Sequence, residues 1–203
     1  LSKHHNVNID NIVVGEGIDG LLGYLCRLLV QPGTNVVTSK GAYPTFNYHV
    51  KGFGGILNFV DYNEDFEDID GLLREARKTN AAIIYVANPD NPMGTWHDKN
   101  AIEYLIKNLP ARTLLCLDEA YSEFAPADQI LQFSPINPKV IRFRTFSKAY
   151  GMAGARVGYA IATSSLIKAF DKIRNHFGVN LIAQQAALAA LRDQRYFKKV
   201  LRQ

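Results

Sequence analysis

Short runs of β-branched and aliphatic residues alternate along this chain with stretches whose apolar positions recur every three or four residues. Ile12-Val13-Val14 reads as a strand, and Leu21, Leu22, Leu25, Leu28 and Leu29 fall on one face of a helix that Gln31-Pro32-Gly33 stops. A strand over residues 35–38, a helix over 45–52 and a strand over 56–60 follow. Asp68 precedes a helix whose apolar face is Ile69, Leu72, Leu73 and Ala76. Residues 81–87 form a continuous apolar run, as strands buried on both faces do. The next helix buries Ile102, Leu105, Ile106 and Leu109, and a strand over 113–117 leads to Asp118. A proline-containing loop of low regularity spans 124–138. Two runs read as apolar, 140–146 and 157–162, then flank a glycine-loosened segment. An amphipathic helix through Leu166, Ile167, Phe170 and Ile173 comes next, and one long alanine-rich helix is predicted from about residue 180 to the end. Strands alternating with helices predict an α/β fold, a three-layer α/β/α arrangement around a mostly parallel sheet. No internal repeat or low-complexity segment interrupts it.

A chain of 203 residues buries one substantial core. The net charge of +4 is too small to mark a nucleic-acid-binding protein, and no window has the apolar length of a membrane span. Arg192, Arg195, Lys198, Lys199 and Arg202 cluster toward the end of a helical pattern, where cations offset the helix dipole, and read as a solvated face. Cys26 and Cys116 sit inside apolar runs, which predicts buried free thiols in a reducing, cytoplasmic setting. The chain opens on Leu1-Ser2-Lys3-His4-His5 with no initiator methionine, as a fragment or a processed chain does.

Candidate chemistry gathers where strands end. Gly15-Glu16-Gly17-Ile18-Asp19-Gly20 lies between a strand and a helix, where unpaired N–H groups and the helix dipole favour an anion. It satisfies GxGxxG. A dinucleotide site also needs an acidic residue about twenty positions on, and after Asp19 the next acid is Asp61, so phosphate binding is retained and the nicotinamide reading dropped. Tyr43 follows a strand and can stack on a planar ring, and Asn91, in Asn88-Pro89-Asp90-Asn91-Pro92-Met93-Gly94, can donate to a ring oxygen. The two prolines predict that this loop is extended. Asp118, placed after Leu114-Leu115-Cys116-Leu117, is a partly buried carboxylate in need of a partner: a protonated ring nitrogen, an arginine or a helix N-terminus. Tyr121 can bond a phenolate oxygen. Lys148, beside apolar strands, is expected to be partly desolvated and so a nucleophile toward carbonyls. Arg156 with the hydroxyls of Thr145 and Ser147 makes a phosphate clamp. Taken singly, each of these residues also fits a bland reading as a surface charge, a half-buried tyrosine or an Asn-Pro turn. Their order along one chain is what carries weight.

In that order the segments Gly15 to Gly20, Tyr43-Pro44, Asn88 to Pro92, Asp118-Glu119-Ala120-Tyr121 and Ser147-Lys148 through Arg156 resemble the large domain of fold-type I pyridoxal-phosphate enzymes. Within that group they are most similar to the histidinol-phosphate aminotransferase branch of the class I/II aminotransferases. The resemblance implies a cofactor-binding large domain over residues 1–203, pyridoxal 5′-phosphate (PLP) as cofactor, no metal, an amino donor and a 2-oxo acid as substrates, and a homodimer. It implies that Lys148 bonds the cofactor and moves the substrate α-proton, and that Asp118 holds the pyridine nitrogen protonated. Asn91 and Tyr121 then bond the ring's phenolic oxygen and Tyr43 stacks on its face. Ile18 and Asp19 (through their amides), Thr145, Ser147 and Arg156 hold the phosphate. Met93 stands where relatives commonly have threonine, and Gly20 where many have glutamate. The family's N-terminal arm and its C-terminal small domain, which carries the arginine for the substrate carboxylate, have no counterpart between Leu1 and Gln203. A threonine-phosphate-type decarboxylase and a non-catalytic PLP-binding sensor domain share these motifs and stand as alternatives.

Overall fold

The computed structural model describes residues 1–133 and 136–202, and in it period-two alternation decides which side of a central sheet each residue faces. The strands are β1 (Ile12–Gly15), β2 (Asn35–Ser39), β3 (Ile56–Val60), β4 (Ile83–Ala87), β5 (Leu114–Asp118), β6 (Val140–Thr145) and β7 (Gly158–Ile161). They lie in the order β1-β7-β6-β5-β4-β2-β3, and β7 alone runs against its neighbours. Val36, Ile83, Tyr85, Cys116, Ile141 and Phe143 face one layer of helices: α2 (Gly17–Leu29), α3 (Thr45–Gly52) and α6 (Ser164–Asp171). Their sequence neighbours Val37, Ile84, Val86, Leu115 and Leu117 face the other layer, α4 (Ile69–Thr79) and α5 (Lys99–Asn108). A third cluster packs Phe146, Tyr159 and Ile161 against Ala183 and Ala187 of α7 (Leu181–Arg192). The expected three-layer α/β/α architecture is present.

Local capping sets the helix starts. Asp68 Oδ1 accepts the Gly71 N–H at 2.9 Å, Asp98 Oδ1 the Ala101 N–H at 2.8 Å, and Asn180 Oδ1 the Ala183 N–H at 2.8 Å. Two helical features depart from the periodicity. Ser2–His5 forms a one-turn helix, α1, that the polar sequence does not announce. The terminal helix is not continuous either: Asp193 (φ −83°, ψ 67°) ends α7 and caps α8 (Gln194–Val200) by accepting the Tyr196 N–H at 3.0 Å. An aspartate inside a helical pattern bonds the backbone ahead of it and restarts the helix. The loop over 124–138 contains a 3₁₀ turn at Ala127–Gln129, and Ser134 and Pro135 lie outside the described residues. Cys26 and Cys116 are buried free thiols, as expected, and burial pushes the Cys26 thiol up to about 12. No helix among the described residues is long and apolar enough to cross a membrane.

The strand β6 is not the apolar run that its ends suggest. Arg142 and Arg144, two residues apart, point to one face and converge on Glu119. Arg142 Nε and Arg144 Nε each lie 3.0 Å from Glu119 Oε2, and Arg142 Nη2 lies 2.6 Å from Oε1. Arg144 also reaches Glu123, and the Arg142 guanidinium stacks 3.9 Å from the Phe133 ring centre. Burial alone would raise the Glu119 carboxyl, but the two guanidiniums outweigh it and hold it below its ordinary range. Its stabilising contribution is therefore present above the ordinary carboxylate pKa and lost as pH falls through the lowered value. Removing one partner of such a cluster strands two buried cations. We expect Glu119→Ala to destabilise the fold by about 3–5 kcal/mol in urea unfolding at neutral pH. The loss should shrink in acid as the wild type loses the same charge.

Candidate active site

Every parallel strand but β3 delivers a candidate residue at its carboxyl end, the edge where open α/β sheets bind ligands. From β1 the chain enters Ile18 and Asp19; from β2, Tyr43; from β4, Asn91. β5 ends on Asp118, followed by Tyr121, and β6 ends on Thr145, followed by Ser147 and Lys148. The antiparallel strand β7 begins at this same edge just after Arg156. All ten residues singled out from the sequence line one cleft of about 290 Å³, together with Leu22, Tyr85, Ala87 and Ala153. A larger cavity of about 510 Å³, lined by Lys99, Phe133 and Arg142 among others, gathers none of this set.

One end of the cleft is an anion cradle. The helix α2 begins at Gly17, four residues before its first leucine, which puts the Ile18 and Asp19 amides in the unpaired first turn. The Glu16 side chain does not cap them. Gly17 has φ +86°, and a Cβ there would lie 2.5 Å from Arg156 Nη2; the missing side chain lets the guanidinium lie over the helix start. Arg156 itself is left-handed (φ 55°) and is tethered by Nη1 to the Ala153 carbonyl at 3.0 Å and by Nη2 to the Glu16 carbonyl at 3.4 Å. A Cβ on Gly158 would meet the Gly17 carbonyl carbon at 2.7 Å, so this glycine lets β7 abut the same turn. The Asp19 carboxylate, an unwelcome charge beside an anion, is drawn aside by His49 Nε2 at 2.8 Å.

The two hydroxyls are not equivalent. Thr145 is buried, and its Oγ1 accepts the Ser147 N–H at 3.0 Å while donating within the turn toward Ser147 Oγ (2.9 Å) or the Val157 carbonyl (3.3 Å). Ser147 Oγ, as the acceptor of that bond, keeps its own proton for a ligand. Thr145 shapes the turn and Ser147 faces the cleft.

The floor is Asp118, only 8% exposed. Neither an arginine nor a helix end partners it. Tyr85 donates its hydroxyl to Oδ2 at 2.8 Å, and the Ala120 N–H reaches Oδ1 at 2.9 Å. Burial raises the Asp118 carboxyl; those two donors and the Lys148 charge counteract, while neighbouring Glu119 adds to the rise. A dry carboxylate with two neutral donors and no paired cation attracts a cationic hydrogen-bond donor. Tyr85 is a site residue that sequence reasoning missed, because a tyrosine inside Ile83-Ile84-Tyr85-Val86-Ala87 looks like core. Its ring does behave as core, stacked at 4.6 Å on Phe46, and only its hydroxyl reaches the site.

Lys148 corrects an expectation. It is exposed, not partly buried, with Nζ 5.0 Å from the centre of the Tyr121 ring. The turn carries it outward, because the following Ala149 takes the buried position. The Asn88–Gly94 loop is likewise not extended. Both its X-Pro bonds are cis, and it folds into a turn in which the Asp90 N–H meets the Thr95 carbonyl at 2.8 Å and the Gly94 N–H meets the Asp90 carbonyl at 3.2 Å. The Asn91 carbonyl accepts the Tyr43 N–H at 3.0 Å, so two facing site residues are locked backbone to backbone.

The family profile described as aminotransferase class I and II matches residues 1–202. The chain belongs to that family. Among curated relatives, histidinol-phosphate aminotransferase 2 of Carboxydothermus hydrogenoformans is 35% identical over 206 residues, covering 100% of this chain and 57% of the relative. The histidinol-phosphate aminotransferase of Geobacillus thermodenitrificans is 34% identical over the same length, covering 100% and 56%. Among solved structures, the histidinol-phosphate aminotransferase of Sinorhizobium meliloti, in complex with pyridoxal-5′-phosphate, superposes with a TM-score of 0.96 at 53% identity, over 98% of this chain and 55% of that one. The chain thus spans about half the length of the curated relatives it matches. The L-threonine-O-3-phosphate decarboxylase of Porphyromonas gingivalis (TM-score 0.84, 23% identity) shares the fold.

The Tyr85–Asp118 bond yields a prediction that needs no ligand. Tyr85→Phe leaves the buried carboxylate one donor short and should cost about 1–3 kcal/mol in urea unfolding at neutral pH. Because the variant penalises the charged form of Asp118, the cost should diminish as pH falls and the carboxyl takes up a proton.

Proposed function

We propose that this chain is the cofactor-binding large domain, residues 1–203, of a PLP-dependent aminotransferase acting on histidinol phosphate or a similar amino compound with a 2-oxo acid as acceptor. The observation that carries the reading is the buried Asp118 carboxylate, held by neutral donors and facing an anion cradle across one cleft. The residues fit PLP by their chemistry: an amine, a carboxylate for a protonated ring nitrogen, two donors for a ring oxygen, an aromatic face and an anion site. Bound PLP supplies the electron sink for a substrate C–H bond.

The chain's own residues do the remainder. The Ile18 and Asp19 amides, the Ser147 hydroxyl and Arg156 bind the phosphate and fix the register of the ring. Asp118 keeps the ring nitrogen protonated; Tyr85 and Ala120 hold Asp118 in place. Asn91 and Tyr121 donate to the phenolic oxygen, and Tyr43 covers one ring face. Lys148 would hold the cofactor through Nζ and would move the proton of the substrate α-carbon. Its exposed position beside Tyr121 gives it the freedom to do both.

The similarity to histidinol-phosphate aminotransferases supports that donor, and we take 2-oxoglutarate as the 2-oxo acid acceptor to test. The likeness to the threonine-phosphate decarboxylase is one of fold and adds no support for that chemistry. Exposed Phe177, Leu181 and Ile182 around the start of α7 support burial against further protein, in keeping with a homodimer, and two buried free thiols support a cytoplasmic setting.

Adding PLP to the purified protein should produce a visible absorbance band that Lys148→Ala lacks. Histidinol phosphate should bleach that band and 2-oxoglutarate restore it, and Lys148→Ala should lower turnover roughly 10²–10⁴-fold. A band that persists in the variant refutes the assignment of Lys148.

A further inference from the structure

Beneath the Asn88–Gly94 turn, on the side away from the cleft, lies a second set of buried acids that the reaction above does not use. Glu67, just before α4, is only 2% exposed. It holds the turn at both roots. Its Oε2 accepts the Ala87 N–H at 3.1 Å, at the last residue of β4, and its carbonyl accepts the His97 Nε2–H at 2.9 Å. His97 in turn exchanges two bonds with Asn88: its N–H to Asn88 Oδ1 at 2.8 Å and its carbonyl to the Asn88 amide at 3.0 Å. Within the turn, Asp90 Oδ2 accepts the Tyr62 hydroxyl at 3.0 Å and the Met93 N–H at 3.4 Å. Asn91 is the next residue.

The second oxygens of these acids stand out. Glu67 Oε1 and Asp90 Oδ1 are fully buried and make no hydrogen bond of good geometry among the described residues, although the Ser39 hydroxyl at the end of β2 lies close enough to the Glu67 carboxyl to interact with it. Neither acid is in an ion pair among the described residues. Two buried carboxylates without a cation cannot both be charged.

We propose that Glu67 is a positioning residue that works as a neutral carboxylic acid: its proton, held in the buried site beneath the turn after β4, keeps the turn closed and Asn91 directed into the cleft. The groups that face Glu67 agree. Burial raises its carboxyl first, Asp90 and Asp118 add to the rise, and the Ser39 hydroxyl and Ala87 N–H only partly offset it, which puts Glu67 at about 8. Asp90 is raised too, by burial ahead of the Tyr62 and backbone bonds that oppose the rise. The Tyr62 and Tyr85 hydroxyls stay protonated, and burial lowers His97, so that its ring is a neutral Nε2–H donor and not a compensating cation. The folded state therefore binds a proton that the unfolded chain releases near 4.5, and this contribution is lost as pH rises toward about 8.

The functional part of the proposal rests on reading the cleft as a PLP site; the protonation part does not. The test uses Glu67→Gln, which is neutral at every pH and keeps an acceptor for Ala87, and Glu67→Ala, which is neutral and keeps none. The infrared spectrum of the wild type at neutral pH should show a protonated-carboxyl band that Glu67→Gln lacks. The thermal midpoint of the wild type should fall between pH 4.5 and about 8 more steeply than that of Glu67→Gln. An unchanged infrared band in Glu67→Gln, or parallel pH profiles, overturns the proposal whether or not PLP binds. With PLP bound, the wild-type absorbance and PLP retention should change as pH passes about 8 and those of Glu67→Gln should not. Glu67→Ala should weaken PLP retention roughly tenfold at neutral pH through the orphaned Ala87 N–H. An alkaline change that survives in Glu67→Gln also overturns the positioning role. Absence of any PLP band in the wild type refutes the reading of the cleft, and the infrared and thermal results still decide the protonation of Glu67.

Discussion

Two carboxylates stand side by side where β5 leaves the sheet, and the surrounding structure is arranged to accommodate both. Asp118 and Glu119 are adjacent in sequence, so the pleat sends them to opposite faces, and both are buried. A charge in that setting must find compensation or give up its charge. Glu119 is compensated outright by Arg142 and Arg144 from the neighbouring strand, which sew β6 to β5 at the level of the cleft. Asp118 receives only a phenol and an amide. The asymmetry separates an acid whose charge is matched from one whose charge is not. The first is closed within the protein, and the second keeps unspent affinity for a cation.

The same logic, with the opposite outcome, governs Glu67 and Asp90. There no guanidinium is supplied, and a proton takes its place. Around the end of the sheet, Glu119 is saturated by arginines, Asp118 faces the cleft without a cation, and Glu67 lies beneath a turn without one. Asn91 and Asp118, which would meet different sides of a bound ring, are held from behind by separate networks. They are linked at the backbone where the Asn88 N–H meets the Asp118 carbonyl at 2.8 Å.

Much of this was legible in the residue pattern because the fold places its chemistry at strand ends, and strand ends are what apolar runs mark. Most of the cleft residues were read from such positions, while the Ile18 and Asp19 amides were named through the resemblance to pyridoxal-phosphate enzymes; α3 and β3 have the bounds that periodicity predicted. What was not legible depended on partners distant in sequence. Nothing near Tyr85 indicates that its hydroxyl will meet an aspartate on the next strand, and nothing near Arg142 and Arg144 tells that both will be buried. The outward placement of Lys148 and the division of roles between Thr145 and Ser147 arise from the exact path of one turn. A hydrophobic count over that segment cannot contain it.

The position of β7 has a consequence for how the molecule comes into being. Ile12 pairs with Ile161, and among the described residues β7 is the only strand that β1 touches. Along the sequence, β1 and the turn behind it meet no sheet partner until β7, after all the other strands. The parallel strands β2 to β6 can assemble earlier, since each pairs with others already made. The anion cradle is then a late event, completed when Gly158 and Arg156 close over Gly17. Such long-range pairing is slow to form. Among the described strands β1 comes first in the sequence, yet it joins the sheet only through β7, which comes last.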